Sequence, residues 1–223
     1  MLIEAGLLTA GTTLATGVVS TTVVLAAVLT APWRAWLEDR ERQVVWLTYA
    51  GFLVLLWSMH AGITPGLSVR FLMMTAFTLM NGWQLAVIGA GLALAVLTLT
   101  GHAAWGSYGA NLLCMAVVPA LFAARWHEFV HARLPHNYFI YFFLGVFLGA
   151  ALAFNAAGLV RLAVLATSGA LDTSRVGAEY LAILPFMSFG EGAANGMLMA
   201  MAVVYRPRWV MSFDDRLYLR RRD

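Results

Sequence analysis

Long apolar runs fill this chain, and short polar stretches punctuate them. Residues 7–29, 44–58, 83–100, 109–124, 138–167 and 176–204 are almost continuously apolar. Between them lie polar stretches at 31–43, 102–108, 125–137 and 168–175, a turn signal at Asn81–Gly82, and a charged tail at 206–223. Polar residues do not alternate with apolar ones along any run, so the period-two signature of a membrane barrel is missing and the runs read as helices. The first run is rich in Thr, Ala, Gly and Val, a composition that suits packing against a partner helix. Asn155 and Gly158 interrupt the apolar run at 138–167. Residues 67–80 follow a Pro65–Gly66 loop and are too few to cross alone, since a span takes about 20 residues. They read as a re-entrant or half-buried piece.

Composition turns these runs into a class. The 223 residues are 61% hydrophobic and 11% charged, against about 45–50% and about 25% in soluble domains. A soluble globule is excluded. In lipid every backbone polar group needs an internal partner, so the spans must be helical. The predicted fold is an all-α, polytopic membrane helix bundle of about seven transmembrane helices. Its expected divisions are a single transmembrane domain at 1–205 and a charged cytoplasmic tail at 206–223. The orientation comes from arginine, the only basic residue type besides histidine. Arg34, Arg40, Arg42, Arg125, Arg133, Arg206, Arg208, Arg216, Arg220, Arg221 and Arg222 share one side, and only Arg70, Arg161 and Arg175 fall on the other. The positive-inside rule then puts the N-terminus outside and the C-terminus in the cytoplasm. The net charge of +3 reflects that orientation, because no basic, aromatic-interleaved surface suited to nucleic acid stands outside the spans. Cys114 is the single cysteine, so no intramolecular disulfide forms. No cleavable signal is expected, since the first charge is Glu4 and no positive region precedes the first run.

Few residues carry chemistry. Arg70 stands where a chain enters the bilayer, and an ionisable group there is a functional candidate. Glu191 lies deep in the last run among Gly190, Gly192 and Gly196, with Asn195 one turn away to hydrogen-bond it. It reads either as a polar contact below a substrate chamber or as interhelical glue. Gly145 and Gly149 form a close-approach pair, Asn155 reads as a helix-bending contact, and Arg161 is expected to snorkel to the outer headgroups. His60 and His102 fall in outer loops, where imidazole can ligate a metal or simply be solvated. His127-Glu128-Phe129-Val130-His131 matches H-E-x-x-H, two zinc-binding histidines one turn apart with a glutamate as general base. Such a site needs a third ligand, for which Glu191, Asp214 and Asp215 are the candidates; the plainer reading is a solvated interfacial segment. No G-x-x-x-x-G-K-[ST] loop is present, so the chain does not itself hydrolyse ATP. No duplicated half is visible, which tells against a self-contained carrier.

Three stretches, in order, resemble the CbiM/NikM family of substrate-specific permease subunits of energy-coupling-factor cobalt and nickel transporters. Met1-Leu2-Ile3-Glu4-Ala5-Gly6-Leu7-Leu8 is similar to the family's Met-His-Ile-Pro-Asp-Gly-Phe-Leu start. Pro65-Gly66-Leu67-Ser68-Val69-Arg70-Phe71-Leu72 resembles its Pro-Gly-(Gly)-Thr-Ser-Gly-His-Leu-Leu loop. Gly109-Ala110-Asn111-Leu112-Leu113-Cys114-Met115-Ala116-Val117-Val118 is similar to its Gly-Ala-Asn-Val-Leu-Asn-Met-Gly-Val-Val run. Glu191-Gly192 and Arg206-Pro207 also suit the family's ending. The resemblance implies a capture subunit of an importer in the bacterial inner membrane. Its substrate is cobalt or nickel, with a link to cobalamin biosynthesis, and it holds no permanent cofactor. A transmembrane coupling subunit and ATPase subunits are its implied partners, with Gly6, Ala10, Gly11, Ala15 and Gly17 admitting the coupling subunit. The family holds its metal through the N-terminal amine, the second-residue His and the loop His. Here Leu2 and Arg70 stand at those two side-chain positions. A guanidinium cannot become a ligand and repels a bare cation, so two expectations stay open. Either Met1, with His60 or His102, holds the metal, or a metal chelate or anionic solute sits against Arg70. The expected substrate-contacting set is Met1, Leu2, Arg70, Asn111 and Glu191. The readings from other classes are an intramembrane zinc metalloprotease built on His127, Glu128 and His131, and a non-transporting scaffold.

Overall fold

In a computed structural model, residues 2–3, 5–59, 61–64, 67–169 and 176–213 are described, excepting the side chains at 5, 61–64, 67–69 and 176–180. The first long helix, α1 (Ala10–Thr30), starts where the Thr9 hydroxyl accepts the Thr12 N–H at 3.3 Å, one of the donors that a helix start leaves open. Its buried stripe is narrow (Thr16, Ser20 and Ala27), while Leu14, Val18 and Leu29 are exposed, as suits a helix bathed in lipid. The Gly17 backbone makes an intrachain contact: a Cβ on Gly109 would lie 2.7 Å from the Gly17 Cα. The Ser20 hydroxyl donates to the Gly109 carbonyl at 2.7 Å across the same crossing. Ala10, Gly11 and Ala15 stay exposed.

The expected loop at 31–43 is largely helical. A short α2 (Trp33–Glu38) is followed by Asp39, which caps α3 (Arg40–Ser58) by accepting the Arg42 N–H at 3.1 Å. The charges that suggested a loop are the cap and first turn of a helix. After α3 comes an antiparallel hairpin, β1 (Ala61–Thr64) and β2 (Leu67–Val69), pairing Ala61 with Val69 and Gly62 with Ser68. The described elements are otherwise helical, in keeping with the expected all-α bundle. Residues 70–73 then form a strap without regular secondary structure leading into α4 (Met74–Asn81), all eight residues of which are buried. At about 1.5 Å per residue α4 is about 12 Å long, so the half-buried reading of 67–80 holds in the form of hairpin, strap and short helix. Gly82, at φ +84°, turns the chain into α5 (Trp83–Leu99). That left-handed value suits glycine.

α6 (Tyr108–Leu112) runs through a widened π turn at Leu113–Val117 into α7 (Val118–Arg133). Pro119 has no N–H to donate and its ring crowds the carbonyl four residues back, which the wider turn relieves. The helix continues to Arg133, so most of the loop expected at 125–137 is helical. The stop comes where Leu134, preceding Pro135, takes extended angles. A second widened stretch, Ile140–Leu148, leads into α8 (Gly149–Thr167). α8 continues through Asn155 and Gly158. Asn155 donates to the Ala151 carbonyl at 2.8 Å, and Gly158 faces the Leu184 side chain so closely that a Cβ would come within 2.5 Å of it. α9 (Val176–Tyr205) closes the bundle against α8.

Among the described residues, Ala10–Thr30, Trp105–Arg133 and Ile140–Thr167 are helices long and apolar enough to cross a membrane. Donors pin neighbouring segments at their carbonyls: the Trp46 indole to Leu85 and the Trp126 indole to Leu144, each at 2.8 Å, and the Tyr108 hydroxyl to Gly91 at 2.9 Å. A helical carbonyl keeps a second lone pair for such a bond.

Candidate substrate-capture site

The site is organised by α4, a buried helix whose two ends are completed by other parts of the chain. At its start, the two Glu191 carboxylate oxygens accept the Leu72 N–H at 2.8 Å and the Met73 N–H at 2.6 Å. The Asn195 side-chain oxygen accepts the Ala76 N–H at 2.8 Å, and its amide donates to Glu191 at 3.0 Å. From α3, the Tyr49 hydroxyl donates to the Met73 carbonyl at 2.7 Å. At the far end of α4, Met211 N–H and Ser212 N–H donate to the Met80 and Leu79 carbonyls at 3.3 and 3.1 Å. The open groups of a helix terminus are costly in lipid, and here α9 and the segment after it satisfy them. Met73 sits in the left-handed region at φ 54°, the one non-glycine residue described there. Glu191 and Asn195 hold the strap through this bend. Of the two readings of Glu191, its observed contacts are with this strap. Asn195 lies one turn away, as the spacing suggested.

Just before the strap, Arg70 is nine-tenths buried and donates from Nη1 to the Trp57 carbonyl at the end of α3. Its Nε has no hydrogen-bond partner among the described residues. Arg161, on α8, is 1% exposed. It does not snorkel. Its Nη2 donates inward to the Leu2 carbonyl at 3.3 Å, since a buried guanidinium needs acceptors and the inserted N-terminal backbone supplies one. It is close enough to Arg70 for the two positive charges to act on each other.

The N-terminal segment is drawn into the bundle. Asn111 makes a reciprocal pair with Ile3, accepting the Ile3 N–H at 2.6 Å and donating to the Ile3 carbonyl at 3.1 Å. Ser107 fixes the same amide at 3.1 Å. Ile3 is buried with Ala110, Cys114, Val164 and Leu165. The widened turn at Leu113–Val117 follows directly below Asn111, and such turns gather at functional sites.

The structure thus brings together Leu2, Asn111 and Arg161, sets Arg70 within electrostatic reach of Arg161, and makes Glu191 the anchor of the adjoining strap. His102 is on an exposed turn, 3.1 Å from the Thr100 hydroxyl. Met1, His60, Asp214 and Asp215 lie outside the described residues. Among the described residues, no group of three or more His, Cys, Asp or Glu is placed to hold a metal ion. His127 and His131 do lie on one helix face, ring centroids 6.1 Å apart, with His136 4.5 Å beyond His131. Glu128, however, is exposed and ion-paired with Arg125 at 3.1 Å, and Glu191, the one described candidate for a third ligand, is engaged at the strap. Sequence reasoning missed Arg161 and Tyr49 as site residues. An arginine inside an apolar run was the available signal for the first; nothing in the sequence marked the second.

A buried short helix beside an inserted N-terminus, in a bundle with three described helices long and apolar enough to cross a membrane, defines a membrane protein. The family model described as "Cobalt uptake substrate-specific transmembrane region" (CbiM) matches residues 3–209, and the chain belongs to that family. Its fold is similar to a crystal structure of a truncated transition metal transporter, with a TM-score of 0.74 and 17% identity over 92% of this chain and 99% of that one. It is likewise similar to a crystal structure of a transition metal transporter, with a TM-score of 0.72 and 18% identity over 93% of each. A search of curated proteins finds no match. The chain is accordingly a membrane component of metal uptake.

Proposed function

We propose that this chain is the substrate-capture subunit of an energy-coupling-factor importer in the bacterial inner membrane, taking cobalt or nickel. It acts as a multi-pass bundle of about seven crossings, N-terminus out and charged tail in. The observation that carries this is the inserted N-terminus, held by Asn111 and Arg161 beside the Arg70–Met73 strap. Substrate enters from the outer side, contacts Met1, Leu2 and the strap, and is closed over by the hairpin preceding Arg70. His60 or His102 supplies imidazole. Energy comes from partner ATPases through a coupling subunit that meets the outward face of α1 at Ala10, Gly11 and Ala15. Cobalt taken up in this way feeds cobalamin biosynthesis.

A second reading of the same site is favoured by Arg70. A buried guanidinium with Arg161 nearby disfavours a bare divalent cation, whereas a metal chelate bearing carboxylates offers acceptors for both. The deciding measurement is metal content by plasma mass spectrometry on protein with an untagged, native N-terminus, soaked in cobalt or nickel and desalted. Near-stoichiometric retention supports the bare ion. Retention only when a carboxylate chelator is supplied with the metal supports the chelate. Retention of neither refutes both. In a transport assay Glu128→Gln keeps transporting, whereas a protease built on H-E-x-x-H would lose its activity.

A further inference from the structure

At the opposite end of α4 from the capture site, α3 and α9 diverge and leave an apolar groove of about 560 Å³. Thr48 and Phe52 of α3 and Met201 and Tyr205 of α9 form its walls, with Met80 as its floor. The groove runs along α3 for about 12 Å, from Val44 to Phe52. At its mouth, where α9 ends, Arg206 and Trp209 line it. Arg208 lines the two polar recesses next to it. Both arginines are exposed, and neither makes an ion pair among the described residues. Two carboxylates line these recesses: Asp39 pairs with Arg42 at 3.3 Å, and Glu41 keeps its charge while accepting the Trp209 indole N–H at 2.7 Å, short of an ion pair with either arginine.

We propose that this groove is a binding site for one anionic phospholipid, its acyl chain lying between α3 and α9 and its phosphate held by Arg206 and Arg208. Charge complementarity selects this occupant. A purely apolar helix laid in the groove would leave two unpaired guanidiniums at its end, whereas a phospholipid places an anion there and hydrocarbon below it. The Trp209 ring, its N–H turned to Glu41, has the amphipathic form suited to the headgroup level. The bound lipid packs against Met80, and so against the segment that also carries the Met211 and Ser212 bonds to α4.

The test uses the full chain in nanodiscs of mixed phosphatidylglycerol and phosphatidylcholine, extracted into mild detergent and washed, with the retained lipid quantified by mass spectrometry. The expected result is phosphatidylglycerol retained near one per chain and enriched over phosphatidylcholine by about tenfold or more, as two arginine contacts imply. Arg206→Gln with Arg208→Gln abolishes the enrichment, and Thr48→Trp, which fills the groove, lowers retention. Arg34→Gln, an exposed arginine at the same end of the bundle, leaves enrichment intact. Equal enrichment in the double variant, or equal loss in Arg34→Gln, would overturn the proposal, since either makes the attraction general to the basic surface.

Discussion

Replacing Glu191 by glutamine is the sharpest perturbation of this architecture, because it keeps the size and hydrogen-bonding capacity of the side chain and reverses the sense of one bond. Every described partner of the Glu191 side chain is a donor: the Leu72 and Met73 N–H groups and the Asn195 amide. A glutamine presents one oxygen and one NH₂ at a position 1% exposed, so at least one donor faces another donor. Leaving a buried donor unsatisfied costs about 1–3 kcal/mol. Glu191→Ala removes both oxygens, strands two backbone donors and costs about 2–6 kcal/mol. Glycine or alanine at Asn195 strands only Ala76 N–H at α4, besides losing the Glu191 contact, so it falls between.

Two readouts separate this from general damage. Thermal unfolding, followed by fluorescence size-exclusion in detergent, is expected to drop by roughly 2–12 °C for Glu191→Gln. Hydrogen exchange is expected to rise first at Leu72, Met73 and Ala76, while the amides of α8 hold. The result that refutes the reasoning is a Glu191→Gln protein with unchanged exchange at Leu72 and Met73. The carboxylate would then not be what anchors the strap.

Three further outcomes follow from the same geometry. Asn111→Ala removes two bonds to Ile3, about 2 kcal/mol together, and is expected to weaken substrate retention about 30-fold and to open the N-terminus to aminopeptidase; retention within about twofold of wild type would contradict the role given to Asn111. Gly109→Ala, whose new methyl meets α1 backbone, is expected to cost about 1–3 kcal/mol in a melting assay, whereas Gly11→Ala, with nothing within 4 Å, is expected to be neutral or mildly stabilising. Arg70→His with Leu2→His restores imidazole at the two positions where the family resemblance places it. Bare cobalt or nickel retention is expected to rise by about tenfold or more in plasma mass spectrometry, and no rise would locate the metal away from this loop.

The membrane class and the helical runs were legible because hydrophobic length is written directly in composition, and 67–80 was legible as an incomplete crossing for the same reason. Boundaries failed where polar residues were read as loops. Asp39 and Arg42 belong to a helix start, and 125–133 is the last two turns of α7. In a helix that reaches past the hydrocarbon core, a polar turn costs nothing, so polarity alone does not mark its end. The bond between Glu191 and Asn195 was legible because it is local in sequence. Their bonds to 72–76 were not, because those partners are backbone N–H groups more than a hundred residues away, which no side-chain pattern encodes. The inward turn of Arg161 was illegible for a like reason, its acceptor being the Leu2 carbonyl.

Backbone in an irregular strap and a two-turn helix exposes more unpaired groups than a continuous span, and lipid offers them nothing. The chain meets that demand with Glu191, Asn195, Tyr49 and the Met211–Ser212 backbone. These groups lie on α3, on α9 and after α9, so the strap is held only when those segments are in register. It follows that displacement of α9 relative to α3 would loosen the strap at both ends of α4 together.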